Sequence, residues 1–391
     1  MRDCGVICCV YVTCLQVLAL DLGDPYTFLG EALSPPDRCS ITSALLFLES
    51  LSAVNLVGEQ LAGNTDAAKI KRNLPSEITP LGFHLAALPI SPRLGKLMLY
   101  GVLLKCIDPI LTIISTVSAK SPFVSSFEQR DVADKAKQNF LWGNSDLMSA
   151  MYAFDTWKSM FGNSGGKGGG RYNKDEDIFC KTNFLSSNSM KLIDQMRAQF
   201  LDLLKGIGFV SRDVNIRNVK DCDENSNGSN VKMIKCALCA GLSPNILMVP
   251  ASAREKSGKL NKKLMELSLA SSRKGYSLNV HPSSIMSDSK ELDSNFVAYL
   301  EAMKTSKVYA RDVTTISPVA LALFCGKMSS NLAQGVVIVN GWLTFSAVAD
   351  VSRCLTYVRE EMEEAFIEKV LNPDAPQSPT WTKVLEILKG L

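Results

Sequence analysis

The hydrophobic period of this chain changes once, and that change sets what it can fold into. From Ser91 to Phe209, apolar residues recur at steps of three and four, the spacing of a buried helix face. From Val231 to about Ala347 the pattern breaks into short runs separated by Gly, Asn and Ser. These runs are Ile246 to Val249, Tyr276 to Val280, Phe296 to Met303, Lys307 to Thr314, Val336 to Val339 and Leu343 to Phe345. Such runs suit the strands of a small barrel or sandwich. A last helix carries Leu355, Val358, Met362, Phe366 and Val370 on one face. The expected class is α+β and multidomain, and 391 residues leave room for two or three separate cores.

Punctuation residues divide the helical part. Asp24-Pro25 starts a helix, with Asp as cap and Pro at the first helical position. Pro35-Pro36 interrupts, and a second helix runs through Leu45, Leu48, Leu51 and Leu56 before a polar insert, Gly63 to Asn73. Ser91-Pro92 opens a helix with Leu94, Leu97, Met98, Gly101 and Leu104 inward. Asp108-Pro109 opens the next, through Ile110, Ile113, Ile114 and Val117, and a third carries Val132, Ala136 and Phe140. Ile193, Met196, Phe200, Leu203, Leu204 and Ile207 form the clearest amphipathic stretch, with Gly208 placed to end it. The glycine-rich run at 162–170 reads as a surface linker, and Arg212 to Asn230 as a polar loop.

Composition excludes more than it assigns. A net charge of +3 does not announce a polyanion partner, although a local basic stripe is compatible with it. Twelve cysteines spread over 391 residues, mostly within apolar runs, are too sparse for a disulfide scaffold. A reducing compartment, cytoplasmic or nuclear, is expected. Gly5 to Leu20 has the apolar length of a secretory leader, but Asp3 is misplaced and no small-x-small site precedes Asp21. The other reading is a buried helix cut from a longer parent sequence. The run is also short for a bilayer, so no membrane partner is expected.

No catalytic pattern in the sequence is complete. Lys167 is followed by Gly168, where a phosphate-binding loop needs Ser or Thr, and Phe161 stands where its first Gly belongs. Cys236 and Cys239 form a lone CxxC; His84 and His281 are the only histidines and supply no matching pair, so no metal is expected. Asp175-Glu176-Asp177 and the glutamates at 360, 361, 363 and 364 read as solvated faces. No nucleophile elbow is present.

The order of short motifs carries more. Leu20-Asp21-Leu22-Gly23-Asp24-Pro25 and Ala32-Leu33-Ser34-Pro35-Pro36 are followed by Thr79-Pro80-Leu81-Gly82-Phe83-His84-Leu85. Then come Pro92-Arg93-Leu94-Gly95-Lys96-Leu97, Cys106-Ile107-Asp108-Pro109-Ile110-Leu111, Ser121-Pro122-Phe123 and Phe179-Cys180-Lys181-Thr182-Asn183-Phe184-Leu185-Ser186. Later stretches are Leu238-Cys239-Ala240-Gly241-Leu242-Ser243-Pro244-Asn245, Val280-His281-Pro282-Ser283-Ser284, Lys304 to Asp312, and Gly341-Trp342. In this order they resemble the carboxyl-terminal region of DEAH-box (DExH, RHA-type) ATP-dependent RNA helicases, with the flavour of the large animal members. The resemblance covers about Val12 to Pro373.

It implies a partial, degenerate winged helix at 1–90, a helical ratchet (HA2) bundle at 91–210 and a linker at 211–230. A five-stranded OB-fold would occupy 231–347, with a C-terminal helix and tail at 348–391. It further implies a grip on single-stranded RNA between ratchet and OB-fold. Ser118, Lys120, Ser121, Lys181 and Asn183 would contribute from the bundle, and His281, Ser283, Ser284, Thr305, Ser306 and Arg311 from the barrel rim. Each has a plainer reading: Ser121 as a helix cap, Asn183 as a turn residue, His281 as a strand end, Arg311-Asp312 as an internal strand pair. Nothing here resembles Walker A, the DEAH box, the Ser-Ala-Thr motif or the arginine-rich nucleotide sensor. ATP and Mg²⁺ would belong to motor domains encoded upstream, in cis if the gene model is truncated, and the chain alone is expected to be inactive. The alternative role is a protein-interaction scaffold, or a dock for a protein activator.

Overall fold

A computed structural model describes residues 4–56, 76–125, 127–162, 171–249, 263–266, 276–288, 292–305, 307–375 and 378–390. The Gly63 to Asn73 insert, the glycine run at 163–170 and Ser306 lie outside the described residues.

The first unit contains α1 (Cys4–Ala19), α2 (Pro25–Gly30), α3 (Arg38–Ser50), β1 (Val54–Leu56), β2 (Ser76–Ile78) and α4 (Pro80–Ala87). Asp24 caps α2 as its sequence suggested, accepting from the Thr27 amide at 3.1 Å, with Pro25 as first residue. α3 is shorter than its leucine spacing implied. Leu51 turns the chain out of the helix and Leu56 belongs to β1, which pairs antiparallel with β2. Residues 4–19 are helical, and Cys14, Leu15 and Val17 are buried in the main core. Tyr11 packs its ring 4.8 Å from that of Phe47 on α3.

The bundle comprises α5 (Pro92–Leu103), α6 (Ile107–Ser118), α7 (Arg130–Gln138), α8 (Asp146–Phe161), α9 (Arg171–Thr182), α10 (Ser187–Gly206) and α11 (Val231–Leu242). α6 starts at Ile107, ahead of Asp108-Pro109, and Asp108 does not cap it. Its carboxylate instead accepts a buried hydrogen bond from Arg197 of α10. On α7 the buried residue is Ala133, whereas Val132 is 58% exposed and Phe140 lies beyond the helix. Gly208, at φ +82°, turns the chain out of α10 as anticipated. Gly241 of α11 presses on α5: a Cβ there would stand 2.5 Å from Leu97 Cβ, so only Gly permits the approach.

A five-stranded barrel follows: β3 (Ile246–Met248), β4 (Lys263–Glu266), β5 (Tyr276–Val280), β6 (Phe296–Lys304) and β7 (Val308–Ile316). It closes in the order β3-β4-β5-β7-β6 through pairing of β3 with β6, and β5 with β7 is its parallel pair. Leu247, Val249, Leu278, Val297, Tyr299, Ala310 and Val313 fill it. The runs at 336–339 and 343–345 do not belong to it. After α12 (Pro318–Phe324), they form β9 (Val336–Val339) and β10 (Leu343–Ser346) of a separate antiparallel sheet with β8 (Met328–Asn331). The reason is where their apolar faces go: Val337, Val339 and Leu343 join the helices' core, not the barrel's. α13 (Ala349–Leu371) carries the anticipated face. The expected tail is a helix, α14 (Pro379–Gly390), anchored by Trp381, which is 1% exposed and donates from Nε1 to Leu103 O at 3.2 Å. No helix among the described residues is long and apolar enough to cross a membrane.

Candidate nucleic-acid interface

The bundle's share of the site is built by backbone pairing. Past the end of α6 the chain runs beside the turn that follows α9. Val124 N–H donates to Phe184 O at 2.8 Å, and Ser186 N–H donates to Pro122 O at 2.9 Å. Phe123 thereby stands opposite Leu185. This lacing brings Lys120 and Ser121 to the same edge as Lys181 and Asn183, two groups some sixty residues apart in sequence. Ser118, Lys120, Ser121 and Lys181 are exposed. Ser121 does not cap a helix; its hydroxyl accepts from the Phe123 amide at 3.3 Å, a local turn. Asn183 is half-buried and donates from Nδ2 to Phe179 O at 3.0 Å.

The barrel supplies the other share. His281 leaves β5 with its N–H donating to Ala310 O at 3.0 Å, and its ring meets Tyr309 edge-on at 5.6 Å between centroids. Nδ1 accepts from the Ser283 amide at 3.1 Å and lies 2.7 Å from that residue's hydroxyl. Thr305 is exposed in the β6–β7 turn. Arg311 is half-buried on β7, in register with Glu301 of β6. Ser284 differs from its neighbours. It is buried, and its hydroxyl donates to Asp146 Oδ2 at 2.7 Å, so it braces the rim from within.

Bundle and barrel are clamped where these shares meet. Asp146, in the first turn of α8, also accepts from the Ile285 amide at 2.8 Å and the Val313 amide at 3.0 Å. Beside it, Ser145 Oγ lies 2.6 Å from Thr314 Oγ1, and Thr315 N–H donates to Asn144 O at 3.1 Å. From α7, Lys137 Nζ donates to Ser283 O at 2.6 Å and Gln138 Nε2 to Ile285 O at 2.8 Å. Asp312, at φ +54°, kinks β7 so that the next amide, Val313, points at Asp146.

Both signs of charge meet at this junction, with Arg130, Lys137 and Arg311 on one side and Asp146 and Asp312 on the other. The His281 imidazole is held below its ordinary pKa by burial first, then by Arg311, Arg130 and Lys137, with Asp146 opposing. Burial, reinforced by Asp146, pushes the Asp312 carboxyl up to about 6, against the pull of Arg311 and Lys137. The CxxC pair lies elsewhere: Cys236 and Cys239 are buried in α11, and burial holds both thiols protonated, Cys236 up to about 12.

Comparison with known proteins agrees with this layout. Residues 91–150 match the ratchet-like helicase-associated domain (HA2), and residues 234–328 match the oligonucleotide/oligosaccharide-binding (OB) fold. The chain is 32% identical over 363 residues to the human ATP-dependent DNA/RNA helicase DHX36, covering 92% of this chain and 32% of that protein. It is 31% identical over 362 residues to the Arabidopsis thaliana DExH-box ATP-dependent RNA helicase DExH1, with the same coverage. To the Xenopus laevis ATP-dependent RNA helicase dhx29 it is 28% identical over 379 residues, 97% of this chain and 25% of that one. This chain is a DExH helicase carboxyl-terminal region. It spans about a third of the length of the first of these relatives.

Within the DExH architecture, sequence reasoning passed over Arg130, Lys137 and Asp146. Asn144-Ser145-Asp146 carries a helix-start signal, and Ser145 does cap α8. Nothing local marks Asp146 as the acceptor for three barrel donors, because those donors lie some 140–170 residues away.

Proposed function

We propose that this chain is the strand-gripping half of an ATP-dependent DExH RNA helicase, holding single-stranded RNA by its phosphates across the bundle–barrel junction. The observation that carries this reading is the clamped bundle–barrel junction, where Asp146 accepts from Ser284, Ile285 and Val313 while Lys137 reaches Ser283 beside His281. Lys120, Ser121, Lys181 and Asn183 extend the same edge along the bundle. Cations and short polar groups on a rigid ledge hold a phosphate backbone without reading its sequence. Nucleotide binding and hydrolysis fall to the family's motor domains, which would use this ledge to keep the strand engaged between steps.

Fluorescence anisotropy with labelled oligo-U and oligo-A at low and moderate salt tests this. Binding that is indifferent to sequence and weakens steadily with salt is expected. No binding to either strand at low salt would overturn the proposal.

A further inference from the structure

Next to the bundle–barrel junction, the bundle carries a series of aromatic rings, with Tyr152 exposed, that phosphate contacts leave unused. Phe123, on the paired edge, lies 6.0 Å from Phe140; Phe140 lies 6.3 Å from Tyr152; Tyr152 lies 6.1 Å from Trp142. Phe140 is buried and serves as the footing. Phe123 and Trp142 are half-buried, and Tyr152, on the outer face of α8, is 45% exposed. Position and rigidity are set from below. Trp142 N–H donates to Ser149 Oγ at 3.1 Å, tying the loop before α8 to the helix that carries Tyr152. Lys137 holds its ammonium 5.1 Å from the centre of the Phe123 ring while bonded to the barrel's Ser283.

A partner for this ledge must offer flat π faces and carry negative charge toward Lys137, whose ammonium stands over the Phe123 ring at one end of the series. A protein surface meets the first demand with a few scattered rings. A single-stranded nucleic acid meets both at every residue. The structure assigns Tyr152, supported by Phe140 and Trp142, as a nucleobase-stacking platform for the strand whose phosphates lie on the Lys137–Arg311 junction. This rests on the strand-gripping reading and adds to it that the bases, as well as the backbone, are held. Stacking of this kind tolerates any base, since each has a π face.

The test uses the full chain at low salt with two labelled strands of equal length and charge: oligo-U, and a strand of abasic ribose phosphates. Wild-type protein is expected to bind oligo-U more tightly than the abasic strand. Tyr152→Ala should weaken oligo-U binding about tenfold, as for loss of one stacked base, and leave the abasic strand unchanged. Tyr152→Phe, which keeps the ring, should stay within about twofold of wild type. Equal affinity of the wild type for both strands would overturn the platform and leave the phosphate grip standing. Failure to bind either strand would overturn both. Tyr152→Ala matching wild type on oligo-U, or losing equally on both strands, would overturn the platform and reassign the ledge to protein contact or to the fold.

Discussion

Replacing Asp146 by Ala removes one carboxylate and strands three donors from the barrel. The Ser284 hydroxyl and the Ile285 and Val313 amides all lose their acceptor, and all three residues are buried. A buried donor left without a partner costs about 1–3 kcal/mol. Three such donors, with some relief from water entering the gap left by the carboxylate, give an expected loss of about 3–6 kcal/mol. That is a large part of the stability of an ordinary domain. Asp146→Asn keeps the shape and one acceptor oxygen, so its loss should be about half as large. Denaturant unfolding followed by tryptophan fluorescence gives the overall change. Native-state hydrogen exchange localises it, because the Ile285 and Val313 amides should lose protection before the rest of the barrel does. A loss under about 1 kcal/mol, with unchanged exchange at those two amides, would refute the claim that Asp146 clamps barrel to bundle.

Three further outcomes follow from the same geometry. The Asp312 carboxyl, pushed up to about 6 from 3.8 by burial and by Asp146, contributes stability fully present below about pH 4 and lost as pH rises through about 6. Asp312→Asn, which tolerates the left-handed backbone, should therefore match wild type near pH 4 and exceed it at pH 7 by up to about 3 kcal/mol, read from thermal unfolding across pH. Arg197 is 0% exposed, bonded to Asp108 and set over the Phe154 ring at 5.0 Å. Arg197→Met should cost about 3–5 kcal/mol by leaving a buried carboxylate uncompensated, and adding Asp108→Asn should restore part of it. Arg311→Gln should weaken oligo-U and oligo-A alike and reduce the salt slope of binding by about 1, measured by anisotropy at several salt concentrations.

The parts of the fold readable in the sequence are those fixed by local chemistry. Asp24-Pro25, Ser91-Pro92 and Gly208 mark helix ends because capping and φ preferences act within a turn. Strands β6 and β7 show as long apolar runs. β4, reading Lys-Leu-Met-Glu, is too short and polar to show as one, and its place is set by pairing with β3 and β5. The runs at 336–339 and 343–345 look like barrel strands because period alone cannot say which core an apolar face joins. The same limit applies to the site. Motif order brought forward His281 and the Lys120–Ser121 edge, while Ser284 proved to be a brace. Asp108 and Asp146, each a plausible helix-start residue by position, act instead through partners far along the chain.

Photo-crosslinking with a 4-thiouridine-substituted oligo-U, followed by mass spectrometry of the peptide adducts, tests the continuous bundle–barrel ledge most directly. Adducts are expected on both sides of the junction, within 118–124 and 181–186 on the bundle and 281–284, 305 and 307–311 on the barrel. Adducts confined to one body, or clustered on the outer face of α13, would contradict it.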